Sequence, residues 1–260
     1  MKRSLWIGMV TLITGVMMVT ATWAVDGKNA ASGLKAFETS WNADHYVLAF
    51  FYSEMNDTVK EKKAGFETIA ESLKDQADAH FVDITDPNQS DVVNLYKVDR
   101  APMPLVLVVA PNGAITGGFP QEFTEDRIQN AIVGPLTTQC LKGLQDGKFV
   151  FVCVQGDNAA ANASAMKGVT DFKDDMLYNT QTEVVIFKGV GPSEQRMMKS
   201  LGVDGKLVEP ITAFLAPPGA MIGKFTGATD KGALVAALAS RQQGGGGCCP
   251  GGSGAGKACK

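Results

Sequence analysis

One block of this sequence occurs twice. Residues 104–119 read PLVLVVAPNGAITGGF and residues 210–225 read PITAFLAPPGAMIGKF, and the two align without a gap. Pro104 matches Pro210, Ala110 matches Ala216 and Pro111 matches Pro217. Gly113 matches Gly219, Ala114 matches Ala220, Gly117 matches Gly223 and Phe119 matches Phe225. Each copy is a proline, an apolar run, a Pro/Gly turn, a second short strand and a helix-like tail. A supersecondary unit repeated along a chain marks tandem copies of one fold. A length of 260 residues suits two small domains of that kind.

The segments around the repeat fit this division. In the first half, Leu34 to Trp41 reads as a short helix. Tyr46 to Tyr52 (YVLAFFY) is a near-continuous apolar run, the pattern of a central strand buried on both faces. Asn56-Asp57-Thr58 supplies cap residues for a helix from Val59 to Leu73, with Phe66, Ile69, Ala70 and Leu73 at helical spacing. Ala79 to Ile84 reads as a second strand, and Ser90 begins a short helix through Leu95 and Tyr96. After Pro104 come a strand, the Pro111-Asn112-Gly113 turn, a second strand and a helix opened by Thr124-Glu125-Asp126. The order is β-α-β-α-β-β-α. A linking helix from about Leu136 to Leu144 leads to the second half. There Lys148 to Val154, Ala159 to Phe172, Glu183 to Phe187 and Ser193 to Leu201 repeat the order. The hairpin opened by Pro210 follows, and a helix from Asp230 to Ala239 closes it.

The two ends differ from the body of the chain. Lys2 and Arg3 precede an apolar core from Leu5 to Val19, with small residues at Thr22 and Ala24, so residues 1–24 are expected to be a secretory signal peptide. If uncleaved, the segment is a membrane anchor. Either way the folded part is expected to be extracytoplasmic, periplasmic or secreted, where disulfides are permitted. The assigned domains are 32–134 and 135–241. Residues 242–260 form a glycine-rich tail ending GGGGCCPGGSGAGKACK, which cannot bury enough apolar surface to offset its ordering entropy. A net charge of −3 gives no electrostatic footprint for nucleic acid. Gly251 to Lys257 imitates a phosphate-binding loop, but Ala258 stands where Ser or Thr should hold Mg²⁺. No strand precedes it and the chain ends at Lys260, so nucleotide binding is not expected.

The element order, with a proline just before the third strand, resembles the thioredoxin fold: α/β, with a central mixed sheet flanked by helices in two tandem domains over roughly residues 32–240. Tyr96 to Leu105 (YKVDRAPMPL) resembles the family's approach to its cis proline. The resemblance implies cis peptides at Pro104 and Pro210, whose loops flank the family's substrate groove. It also implies a Cys-x-x-Cys at the start of the first long helix, and here the sequence departs. The window after Tyr52 reads Ser53-Glu54-Met55-Asn56-Asp57-Thr58, and the window after Val154 reads Gln155-Gly156-Asp157-Asn158-Ala159. Neither holds a cysteine. Thiol–disulfide exchange needs an acidified thiolate and a resolving thiol, so neither domain is expected to be an oxidoreductase by that route. Family domains without the motif typically serve as substrate-binding or spacer modules.

The five cysteines are Cys140, Cys153, Cys248, Cys249 and Cys259. Cys140 in the linking helix and Cys153 in a core strand are expected to be buried small hydrophobes, with a Cys140–Cys153 disulfide as the alternative. Cys248 and Cys249 are adjacent on the tail and resemble the mobile redox tails of some flavin disulfide reductases. With Cys259 they could instead hold a soft metal ion such as Cu(I) or Zn(II), although no Cys-x-x-Cys or nearby His supports such a site. No cofactor beyond that ion is expected. His45, His80 and the acids Glu54, Asp57, Asp83 and Asp86 are expected to be structural or helix-capping groups. Three readings result: a protein-binding or chaperone-like module, a redox carrier using Cys248 and Cys249, and a soft-metal binder.

Overall fold

The computed structural model describes residues 33–189, 191–203 and 207–244. The first half contains α1 (Gly33–Asn42), β1 (Tyr46–Tyr52), α2 (Asp57–Ser72), β2 (Ala77–Asp83), α3 (Ser90–Tyr96), β3 (Leu105–Val109), β4 (Ile115–Pro120) and α4 (Glu125–Gln129). The second contains α5 (Pro135–Gln145), β5 (Phe149–Val154), α6 (Ala159–Lys173), β6 (Thr182–Phe187), α7 (Gln195–Ser200), β7 (Ile211–Ala216), β8 (Ala220–Thr226) and α8 (Lys231–Gly244). The helix expected from Ser193 is divided, with a 3-10 turn at Pro192–Glu194 leading into the shorter α7.

The strand orders are β2-β1-β3-β4 and β6-β5-β7-β8. In each sheet the first two strands in sequence run parallel and the closing hairpin is antiparallel. Parallel neighbours need a crossover, which α2 and α6 supply. This order and these directions make two tandem thioredoxin-like domains.

The central strands are apolar because both their faces are covered. Leu48 and Phe50 of β1 pack with Phe66 of α2 and Ile128 of α4. Val47, Ala49 and Phe51 face Phe37 of α1 and Val92 of α3. In the second domain Val150, Val152 and Val154 share a cluster with Cys140 of α5 and Met198 of α7. Phe151 and Cys153 pack with Phe172 of α6 and Leu234 of α8. Side chains alternate across a strand, so Cys140 and Cys153 lie on opposite sides of the sheet. Both are free thiols, and the disulfide considered from the sequence is not formed. Burial raises both thiol pKa values, Cys153 to about 12, which leaves both protonated and unreactive near neutral pH.

The repeated block has a physical reading. A β-bulge lies between Val108 and Val109 in one hairpin, and between Phe214 and Leu215, the matching positions, in the other. A Cβ on Gly117 would lie 2.9 Å from the ring of Phe119 and 2.7 Å from Cβ of Ala131. On Gly223 it would lie 3.0 Å from the ring of Phe225. Each ring therefore lies over the glycine two residues earlier, and the pair recurs for that reason. The correspondence runs on to Gln121 and Gly227: both have positive φ, and their N–H groups donate to Pro104 and Pro210 at 2.6 and 2.8 Å.

Of the contacts around the junction, those of Gln145 and Arg196 cross between the halves, and those of Tyr46 and Glu194 hold the 133–137 connection from within each half. Tyr46 Oη donates to the Val133 carbonyl at 2.6 Å, and the Val133 N–H returns a bond at 3.3 Å. The Gln145 side chain brackets the β4 edge, accepting from Ile115 N–H at 2.9 Å and donating to its carbonyl at 2.7 Å. Arg196 donates to the carbonyl and side-chain oxygens of Asn130. The buried Glu194 accepts from the N–H groups of Leu136 (3.0 Å) and Thr137 (3.2 Å), and from the Thr137 hydroxyl. It caps α5, whose N-cap Gly134 has no side chain to do so.

Candidate functional site

The C-terminal ends of β1 and β2, the N-terminus of α2 and the loop before β3 meet at one end of the first sheet. Leu105 pairs with Phe51, so Pro104 sits beside the end of β1, where the 53–56 loop departs. The Met103–Pro104 peptide is cis. Met103 is half-buried, and among the described residues neither its N–H nor its carbonyl has a hydrogen-bond partner. Ser53 and Glu54 are exposed across from it, while Met55 packs on the core.

Asn56 is the N-cap of α2; its side-chain oxygen accepts from Val59 N–H at 3.0 Å. Asp57 in the first turn pairs with Lys60 at 3.0 Å. Positions three apart at this helix start therefore hold an amide already engaged as a cap and the buried aliphatic Val59. Neither can form a thiolate. Tyr52 closes the inner side: burial raises its phenol pKa, and the Asp83 and Asp86 carboxylates add to the effect. Those aspartates also organise their own turn, Asp83 accepting from Thr85 N–H at 2.9 Å and Asp86 from Asn88 N–H at 2.9 Å. The result is a sheet end where the exposed Ser53–Glu54 segment and the unpaired Met103 backbone flank the start of α2, with no thiol in the window.

The second domain uses the same positions differently. Ile211 pairs with Val154, which places Pro210 beside the 155–158 window. The Glu209–Pro210 peptide is not cis, a correction to the expectation from the resemblance; the second cis bond is Pro217–Pro218, in the hairpin turn. The chain before Pro210 runs directly onto the start of α6. The carbonyls of Leu207 and Val208 accept from the N–H groups of Asp157 and Asn158, both at 3.0 Å, and Asn158 Nδ2 donates to Glu209 Oε1 at 2.9 Å. That route takes Pro210 in the trans form. A Cβ on Gly156 would lie 2.5 Å from the Val208 carbonyl, so glycine permits the close approach. The second groove is filled by its own chain.

Both histidines have partners in the fold. Nε2 of His80 lies 2.9 Å from Ser40 Oγ, its ring is 5.1 Å from that of Phe37, and burial lowers its pKa. His45 pairs with Asp78 at 3.1 Å. No group of three or more metal-ligating side chains occurs among the described residues. Cys248, Cys249, Cys259 and residues 1–24, expected from the sequence to be a signal peptide, lie outside the described residues. Among the described residues no helix is long and apolar enough to cross a membrane. The sequence reading did not single out Met103, Gln121 or the Leu207–Glu209 closure. The one signal for the closure was Gly156, a glycine in the window next to the strand.

No family model and no curated relative matches the chain. Solved structures similar to it include the germline-specific thioredoxin Deadhead of Drosophila melanogaster, 15% identical over 40% of this chain and 94% of that one, with a TM-score of 0.31. The first two thioredoxin domains of Naumovozyma dairenensis Eps1p are 12% identical over 86% of this chain and 98% of theirs, with a TM-score of 0.31. The zinc-bound form of human ERp44 is 14% identical over 83% of this chain and 56% of its own length, with a TM-score of 0.35. The fold assignment rests on this chain's own strand order, directions and connections.

Proposed function

We propose that the chain is an exported, redox-silent thioredoxin-like protein that holds extended segments of other polypeptides in the groove of its first domain, with a thiol-bearing tail appended. The observation that carries this reading is the contrast between the two grooves. Among the described residues the Met103 N–H and carbonyl beside the cis proline are unpaired, and so are those of the matching Glu209; the difference is that Leu207, Val208 and the Glu209 side chain bond to the start of α6 and occupy the second window, while nothing of this chain bonds across the first. Paired backbone groups are the rule in folded proteins, and a free pair on a groove wall suits an incoming strand-like peptide. The export part rests on Lys2, Arg3 and the apolar core from Leu5 to Val19. Catalysis of disulfide exchange in either window has no support, because neither window contains a thiol.

The test is site-specific photo-crosslinking. A benzophenone amino acid replaces Ser53 in one variant and Asp157 in another, with reduced, alkylated lactalbumin as the unfolded probe. Adducts are expected from position 53 and not from position 157. Equal yields at both, or none at either, overturn the reading. Truncation after Gln243 is expected to leave the position-53 adduct unchanged; its loss would move the activity to Cys248 and Cys249.

A further inference from the structure

A cleft of about 500 Å³ opens in the second domain, on the α5 side of its sheet and away from both grooves. Leu141 and Leu144 of α5 form one wall, Met197 and Leu201 another, and Leu215 and Met221 of the β7–β8 hairpin a third. A volume of this size with mainly apolar walls is typical of a small-molecule site. Among the described residues that line it, the one ionisable side chain is Arg196.

The state of that arginine decides what the cleft can take. Its guanidinium bonds to two neutral acceptors, the carbonyl and side-chain oxygens of Asn130. No carboxylate lies within ion-pair distance of it among the described residues. The adjacent Glu194 spends both its oxygens on the N-terminus of α5. A guanidinium has five N–H donors, so the two bonds to Asn130 leave donors for a ligand. Its planar fork matches a carboxylate.

The other polar groups argue against a peptide. The Thr137 hydroxyl is committed to Glu194 and the Ser200 hydroxyl to the Met197 carbonyl, which among the described residues leaves the exposed Ser193 hydroxyl as the one uncommitted side-chain group of the lining besides Arg196. A peptide backbone laid between these apolar walls would lose hydrogen bonds to water without replacement. An alkyl chain has no such groups to satisfy, and each methylene removed from water favours binding.

We propose that this cleft binds a long-chain fatty-acid-like anion, its alkyl chain between α5, α7 and the β7–β8 hairpin and its carboxylate on Arg196. The site is independent of the first-domain groove and of the tail cysteines. The test is fluorescence titration of the full chain with cis-parinaric acid, followed by displacement with palmitate and with hexadecanol. Saturable binding is expected, with palmitate displacing the probe at about three- to fivefold lower concentration than hexadecanol, the scale of one exposed charge pair. Arg196→Gln is expected to remove that preference while keeping hexadecanol binding. Ser200→Trp, at an exposed position on the lining, is expected to block both ligands without disturbing the core. Absence of saturable binding, palmitate affinity unchanged in Arg196→Gln, probe binding unchanged in Ser200→Trp, or displacement by an uncharged apolar peptide but not by palmitate would each overturn the proposal.

Discussion

At the residue scale, the second half of the repeat explains an irregularity in the first. Gly227 has φ +79° and Gln121, at the matching position, has φ +61°. Both N–H groups donate to the carbonyl of the repeat's leading proline, so this conformation belongs to the hairpin and not to the residue. Glycine adopts it without cost, whereas another L-residue gives up about 1–2 kcal/mol. Gln121 is exposed, and no side-chain hydrogen bond among the described residues offsets that cost. Gln121→Gly is therefore expected to stabilise the protein, by up to about 1 kcal/mol once glycine's greater backbone entropy in the unfolded chain is allowed for. Urea denaturation with an unchanged m-value measures this, and a lower midpoint would mean that the Gln121 side chain contributes more than the structure reveals. The repeated prolines show the limit of residue identity as a guide. Pro104 and Pro210 occupy matching places, yet the preceding chain sets their isomers, and that chain is not repeated.

At the element scale, the sequence disclosed most of the fold. The YVLAFFY run, the Asn56 cap and the Pro–strand–turn–strand repeat each carry a local physical signature, and each corresponds to an element with nearly the bounds its pattern implies. What local pattern could not disclose was the fate of the two helix N-termini. The starts of α2 and α6 look alike, with Asn56 and Asn158 as caps. Only long-range bonds from Leu207 and Val208 distinguish the closed groove from the open one. Gly156 is the hinge of that difference, because a side chain there would collide with the Val208 carbonyl. Gly156→Val is expected to break the closure and cost about 1–3 kcal/mol, the range for forcing extra side-chain atoms into occupied space. It should also make residues 207–209 a preferred site of limited proteolysis at temperatures where the wild-type chain resists cleavage there. A variant as stable and as protease-resistant as wild type would show that the closure contributes nothing.

At the scale of the whole molecule, the question is why two domains with separate cores should act as one body. Contacts between domains of one chain are commonly small and allow relative motion, but here the 130–137 linker is bonded on both sides. Tyr46 of the first domain holds Val133 through both backbone groups, and Glu194 and Arg196 of the second hold Leu136, Thr137 and Asn130. Burial pushes the Tyr46 phenol up to about 12, with the Glu194 and Asp44 carboxylates contributing in the same direction. The folded junction therefore keeps the phenol protonated over a range in which the unfolded chain, with a phenol near 10, has released its proton. Below pH 10 both states hold the proton and the contribution is complete. Between pH 10 and 12 the unfolded state binds fewer protons, so stability falls as pH rises. Tyr46→Phe removes both the hydrogen bonds to Val133 and this titration. The variant is expected to be less stable than wild type by about 1 kcal/mol below pH 9, the usual value of a hydrogen bond lost without a replacement partner. That deficit is expected to vanish near pH 11 and to reverse by about pH 12, because wild type alone loses the Tyr46 contribution and a shift of this size outweighs one hydrogen bond. Paired urea titrations across this range measure the difference directly and cancel the other tyrosines, which both proteins share. A deficit constant to pH 12 would mean that the junction opens enough to solvate the phenolate, and that the two halves are joined less firmly than the bonds to Val133 imply.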